Sequence, residues 1–127
     1  MTILMVEDEE LLRVPVAKML RRRGFVVLET ADGKTAVDQF QRRAREIDVV
    51  LLDMTLPGLS GADAMALMIL IRPDIKVVFT SAYDRELAMA TLRSQRPAAY
   101  IRKPYTCSQL AELLRDVCTA KSQAHSG

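Results

Sequence analysis

Acids, hydroxyls and one amine stand at the ends of short apolar runs in this chain. Glu7 and Asp8 follow Thr2 to Val6, Asp53 follows Asp48 to Leu52, Thr80 and Ser81 close the run from Lys76, and Lys103, with Pro104 behind it, follows Ala99 to Arg102. Carboxylates brought close together repel unless a cation lies between them, and a hard divalent ion with oxygen ligands and retained waters suits such a set. Mg²⁺, or Mn²⁺ in its place, is the ion expected. One carboxylate of the group can also act as a nucleophile and carry a phosphoryl group, provided the charge arriving with it is neutralised. The ion, Lys103 and a Ser or Thr hydroxyl would do that. Other chemistry lacks material. His125 is the only histidine. Cys107 and Cys118, if both lie on one helix, are separated by roughly 16 Å, too far for a disulfide.

The elements that must gather these residues follow from periodicity. Five β-rich runs, Thr2 to Val6, Phe25 to Glu29, Asp48 to Leu52, Lys76 to Thr80 and Ala99 to Arg102, alternate with segments of helical period. Val49 to Leu52 is apolar without polar alternation, which suits an inner strand covered on both faces. Leu11, Leu12, Val16, Met19 and Leu20 predict a helix from about Glu9 to Arg23, stopped by Gly24 after three arginines. Ala36, Val37, Phe40 and Ala44 mark a second helix, and residues from about Ala62 to Ile71 a third, closed by Pro73. A more polar fourth helix is expected near Arg85 to Gln95. A fifth begins after Pro104, with Ser108 as its cap and Leu110, Leu113, Leu114 and Val117 as its buried stripe. The fold expected is a flavodoxin-like (βα)5 doubly wound parallel sheet of order 2-1-3-4-5. That order makes strands 1, 3, 4 and 5 consecutive neighbours, so their carboxyl ends converge on one pocket.

The 127 residues leave room for one domain, taken as residues 1–120 with a tail over 121–127. Half the residues are apolar and 27% are charged, a balance that fills one core. A net charge of +2 implies neither nucleic acid nor an anionic membrane as partner. The arginines at 21–23 and at 42, 43 and 45 sit near predicted helix C-termini without interleaved aromatics, so no nucleic-acid partner is expected. The longest apolar run, Ala64 to Ile71, is far short of the ~20 residues that span a bilayer. No membrane partner and a cytoplasmic setting are the expectation.

Four segments then carry a resemblance: Ile-Leu-Met-Val-Glu-Asp-Glu at 3–9, Leu-Leu-Asp-Met-Thr-Leu-Pro-Gly-Leu-Ser-Gly at 51–61, Val-Val-Phe-Thr-Ser-Ala-Tyr at 77–83 and Tyr-Ile-Arg-Lys-Pro-Tyr at 100–105. In this order and spacing the chain resembles, over about residues 2–119, the receiver domain of bacterial two-component response regulators. The resemblance implies a phosphoacceptor module rather than a turnover enzyme, taking a phosphoryl group on Asp53 from a histidine kinase or histidine phosphotransfer protein. It implies Asp8 as a direct metal ligand, Glu7 acting on the ion through water, and the backbone carbonyl of Thr55 completing the set. Lys103 would pair with the phosphoryl group, Pro104 would follow a cis bond, and Tyr100 would be the switch aromatic. A homodimer through the fourth helix, fifth strand and fifth helix is a further implication.

The switch hydroxyl is Ser81 or Thr80, since alternation sends adjacent strand residues to opposite faces. Ser81 is preferred, because Ala82 after it and its separation of 22 from Lys103 resemble the family pattern. Two departures stand out. Glu7 replaces the aspartate commoner at that position, and the bulky Tyr83 lies two residues past the switch, where it would slow loss of the phosphoryl group. The Phe-Thr-Ser-Ala-Tyr strand resembles receivers attached to hybrid kinases. An Mg²⁺-dependent phosphohydrolase using an aspartyl-phosphate would want an acid where Thr55 stands. A phosphorylation-independent interaction domain would not need the intact set of Glu7, Asp8, Asp53, Ser81 and Lys103.

Overall fold

The computed structural model, which describes residues 1–92 and 95–120, alternates strand and helix throughout. Its elements are β1 (Thr2–Val6), α1 (Glu10–Arg22), β2 (Val26–Thr30), α2 (Gly33–Arg43), β3 (Val49–Asp53), α3 (Gly61–Ile71), β4 (Lys76–Ser81), α4 (Arg85–Leu92), β5 (Ala99–Arg102) and α5 (Cys107–Thr119). The strands form one parallel sheet in the order β2-β1-β3-β4-β5, which is the flavodoxin-like arrangement expected.

The two faces of the sheet are two cores. Leu4, Val6, Val50, Leu52, Val77 and Phe79 point to one side, where they pack with Phe40 of α2, Met65 and Met68 of α3 and Leu92 of α4. Ile3, Met5, Val49, Leu51 and Val78 point to the other, against Val16, Ala17 and Leu20 of α1 and Leu110, Leu114 and Val117 of α5. Burial on both sides is why β3 reads as an unbroken apolar run.

Several boundaries differ from expectation for local reasons. β2 and β3 each sit one residue later, because pairing with β1 fixes Thr2 opposite Val26 and Ile3 opposite Val49. The α5 cap is Thr106, not Ser108: its hydroxyl accepts the Gln109 N–H while the Gln109 side chain accepts the Thr106 N–H, a reciprocal box that Ser108 is too late to make. α4 is described through Leu92; residues 93 and 94 of its expected span, and the expected tail over 121–127 with His125, lie outside the described residues. The stop after α1 is as expected, with Gly24 at φ 95, a left-handed conformation that favours glycine. α1 also runs through Pro15, whose exposed ring leaves the Leu11 carbonyl without its helical N–H, at a position open to water.

Arg72, just beyond α3, binds the layers together. Its Nη1 donates to the carbonyls of Ala44 and Ile47 at 2.7 and 2.6 Å, fixing the α2–β3 turn to the end of α3. Both cysteines are free, and among the described residues no helix is long and apolar enough to cross a membrane.

Candidate phosphoacceptor site

The acids gather where β1 and β3 end side by side. Ligand oxygens of Glu7, Asp8 and Asp53 all lie within 4.8 Å of one another. Glu7 and Asp53 are each 3% exposed, whereas Asp8 opens to solvent. Lys103 comes across from the end of β5: its Nζ lies 2.8 Å from Glu7 Oε1 and 3.3 Å from Asp53 Oδ2. Asp53 Oδ1 accepts the Thr55 N–H at 3.1 Å, so the Asp53 side chain is held from both sides.

Backbone contacts fix the frame around these groups. Arg13 of α1 donates to the Glu7 carbonyl at 3.0 Å, and the Glu9 N–H donates to Glu7 Oε2 at 3.1 Å. Gly61, the first residue of α3, lies so close to β3 that a Cβ there would meet the Asp53 carbonyl oxygen at 2.4 Å and Met54 Cα at 2.9 Å. Gly33, the first residue of α2, makes a similar approach to the Leu59 carbonyl, where a Cβ would fall at 2.6 Å. The β3–α3 loop carrying Thr55 is thus gripped by two helix starts that admit only glycine. Sequence reasoning gave neither glycine nor Arg13 a role; the Gly61 that ends the second matched segment was the available signal.

Electrostatics follow from burial. The Asp53 carboxyl is pushed up to about 6, first because burial strips its water and then because Glu7 is beside it; Lys103 and the Thr55 N–H pull the other way. Burial works against the charge on Lys103, but its hydrogen bond to Glu7 and the charges of Asp53 and Glu7 outweigh that and raise its pKa. The Tyr105 hydroxyl is pushed up to about 12, mainly by burial. Two buried acids and the exposed Asp8 against one amine leave the cluster net negative, and all its donors are oxygens. That donor set fits a divalent cation of the Mg²⁺ type.

The hydroxyls of the β4 end are both buried, Thr80 at 2% and Ser81 at 1% exposed. Thr80 pairs in register with Asp53 and, by alternation, shares the α1 and α5 side with Val78. Ser81 follows Val77 and Phe79 onto the side where Tyr100 packs, and its Oγ accepts the Tyr83 N–H at 3.0 Å. The Tyr100 hydroxyl in turn donates to the Tyr83 carbonyl, and Arg102 Nε donates to the Ala82 carbonyl at 3.4 Å. The β4–α4 connection is therefore held by Ser81 at its start and by two β5 side chains from outside. The Lys103–Pro104 bond is cis.

Two openings flank the cluster. A recess of about 350 Å³ lies between Glu9 and Leu12 on one side, Ala82 on another and Lys103 to Tyr105 on the third. A larger one of about 860 Å³ separates the β3–α3 loop from α4, with Thr55, Asp63, Tyr83 and Leu87 on its walls.

The family model described as the response regulator receiver domain matches residues 3–115. The chain belongs to the response regulator receiver family. Receiver domains of this kind are generally signalling modules rather than enzymes. Among relatives, the sensory transduction protein RegX3 of Mycolicibacterium smegmatis is 35% identical over 116 residues, 91% of this chain and 50% of that protein. The sensor kinase CckA of Brucella abortus is 29% identical over 116 residues, 91% of this chain but 12% of the kinase. The chain thus spans half or less of these two relatives. A solved receiver domain, that of the sensor histidine kinase PA1611 from Pseudomonas aeruginosa with a magnesium ion coordinated in its active-site cleft, is 25% identical with a TM-score of 0.85, covering 94% of this chain and 98% of that one.

Proposed function

We propose that this receiver accepts a phosphoryl group on Asp53 from a phosphohistidine of a kinase or phosphotransfer protein and responds by repositioning the β4–α4 connection. The observation that carries the reading is the meeting of Glu7, Asp8 and Asp53 within 4.8 Å with Lys103 Nζ 3.3 Å from the acceptor. In the transfer, an Asp53 oxygen forms a bond to phosphorus as the bond to the donor imidazole nitrogen breaks, and the imidazole takes up a proton from water. The positive charge of the Lys103 ammonium neutralises the negative charge arriving with the phosphoryl group.

Mg²⁺, or Mn²⁺, would be held by Asp8 and Asp53, by the Thr55 carbonyl, and by Glu7 through water. A divalent ion supplies charge neutralisation for the phosphoryl oxygens. Glu7, buried and bonded to Lys103, orients that amine as well as adding charge to the metal site. Ser81 is the hydroxyl that follows the phosphoryl group, since it alone of the pair lies on the side of Tyr100. Its movement would release the Tyr83 N–H and, through Tyr83, the Tyr100 hydroxyl. The PA1611 receiver with its coordinated magnesium supports the choice of ion. Turnover is limited to autophosphorylation from small donors and autodephosphorylation, and the setting is cytoplasmic, where kinases hold their phosphohistidine.

Intact-mass measurement after incubation with acetyl phosphate and Mg²⁺ tests this. A single phosphoryl increment is expected, absent in Asp53→Ala and without Mg²⁺. An unmodified wild type would leave a phosphorylation-independent interaction domain as the reading. Comparing Ser81→Ala with Thr80→Val in the same assay separates the two hydroxyls: only Ser81→Ala should slow labelling.

A further inference from the structure

Of the three acids, Asp8 is the one that packing holds least. Glu7 and Asp53 are buried and share Lys103, whereas Asp8 is exposed on the short connection from β1 to α1. Its place therefore depends on the peptide groups on either side of it, and one residue holds both. Arg13 donates from Nη1 to the Glu7 carbonyl at 3.0 Å, and its backbone N–H donates to the Glu9 carbonyl at 2.8 Å. A peptide unit is planar, so a fixed Glu7 carbonyl also fixes the nitrogen and Cα of Asp8.

The Arg13 guanidinium is itself braced. Its Nε lies 3.4 Å from Glu29 Oε1, Glu29 Oε2 accepts from Arg21 Nη1 at 2.9 Å, and Arg21 Nη2 donates to the Val27 carbonyl at 2.8 Å. Glu29 stands on β2 opposite Met5 of β1. A chain of bonds thus runs from the edge strand through α1 to the peptide that carries Asp8. The brace matters because a free arginine side chain would lose much of the bond's worth in being ordered. Arg13 is also enclosed, its side chain 16% exposed.

We infer that Arg13 is a positioning residue that presets Asp8 for a divalent cation. The inference rests on the reading of Asp8 as a metal ligand. Its sign separates it from a plain charge effect. A guanidinium beside a cation site repels the cation, so charge alone predicts tighter metal binding once Arg13 is neutralised. Positioning predicts weaker binding, since groups that orient metal ligands typically contribute roughly 10–100-fold to affinity.

Mn²⁺ affinity, read from the loss of the free-ion EPR signal as protein is added, tests this without any phosphoryl donor. Thermal melts set a temperature at which every variant is fully folded. Arg13→Met keeps an unbranched apolar stem and loses both donor and charge; it should bind Mn²⁺ about 10-fold more weakly than the wild type. Arg13→Lys keeps a donor for the Glu7 carbonyl and should recover most of that loss. Should Arg13→Met unfold, Arg13→Gln, neutral and too short to reach the carbonyl, takes its place. Binding that is unchanged or tighter in the folded neutral variant overturns the inference, as does an Arg13→Lys variant no better than it. A wild type that binds no Mn²⁺, or an Asp8→Asn variant that binds it as tightly as the wild type, removes the metal reading and the inference with it.

Discussion

Asp53 is held at a cost. Its carboxyl titrates near 6 in the folded chain against 3.8 for an ordinary aspartate, so the folded state takes up a proton more readily than the unfolded one between those values. Without metal, the penalty is absent below pH ~4, grows as pH rises, and is fully present above pH ~6. Asp53→Asn keeps the shape of the side chain and removes the charge. In EDTA it should stabilise the domain by roughly 1–3 kcal/mol near neutral pH, with the gain vanishing towards pH ~4. Thermal melts of both proteins across that range check it, and a pH-independent difference would contradict the assignment of burial and Glu7 as causes. Tyr83 carries a second prediction at this scale. Its N–H and carbonyl are tied to Ser81 and Tyr100, which keeps the residue at the edge of the site while its ring stands half in solvent. Tyr83→Ala should speed loss of the phosphoryl group several-fold; an unchanged half-life by intact mass would show that the ring does not screen the acyl phosphate from water.

Helix starts decide how well the site is framed. Gly61 lets α3 begin against the backbone of Asp53 and Met54, where a methyl group would intrude to 2.4 Å. Since the obstacle is backbone, α3 rather than a side chain must retreat. Gly61→Ala should cost about 1–3 kcal/mol in urea unfolding, and should lower the rate of Asp53 labelling by more than that stability loss explains while the protein remains folded. Equal labelling rates would show that the β3–α3 loop keeps its position without the contact. Thr106 works on the other side of the site, capping α5 directly after the Lys103–Pro104–Tyr105 turn. Thr106→Ala should lower stability by ~1 kcal/mol, with labelling unaffected.

Across the whole molecule, a single parallel sheet makes long-range contacts do the positioning. Lys103 reaches Glu7 and Asp53 from residues 96 and 50 positions away, and Arg72 ties α3 to a turn 25 and 28 residues earlier. Arg72→Ala should remove two charge-assisted bonds to part-buried carbonyls and cost about 1–3 kcal/mol, read by thermal unfolding. The site lies on the same β3 whose start that turn positions. A variant that melts like the wild type would mean water replaces the guanidinium at no cost.

Much of this was legible in the residues. The five strands, the five helices and the position of each acid and of Lys103 follow from period and punctuation, because an apolar run buried on two faces and a helix stripe buried on one leave unlike local patterns. The cap of α5 was misplaced because Thr106 and Ser108 are both plausible by type, and only the reciprocal bonds with Gln109 distinguish them. Strand order had to be supplied by analogy with other doubly wound sheets, since no local pattern encodes which strands are neighbours. Glu7 illustrates the same limit: its type and place mark it as an acid of the site, but its burial and its 2.8 Å bond to Lys103 depend on β1, β3, β4 and β5 lying in one row. What the sequence determined by itself was the inventory of reactive groups and the elements that end in them. The tertiary structure alone decided their separations, the raised pKa of Asp53 and the close glycine contacts, because distance and desolvation are properties of chain segments remote in sequence and brought together only by packing.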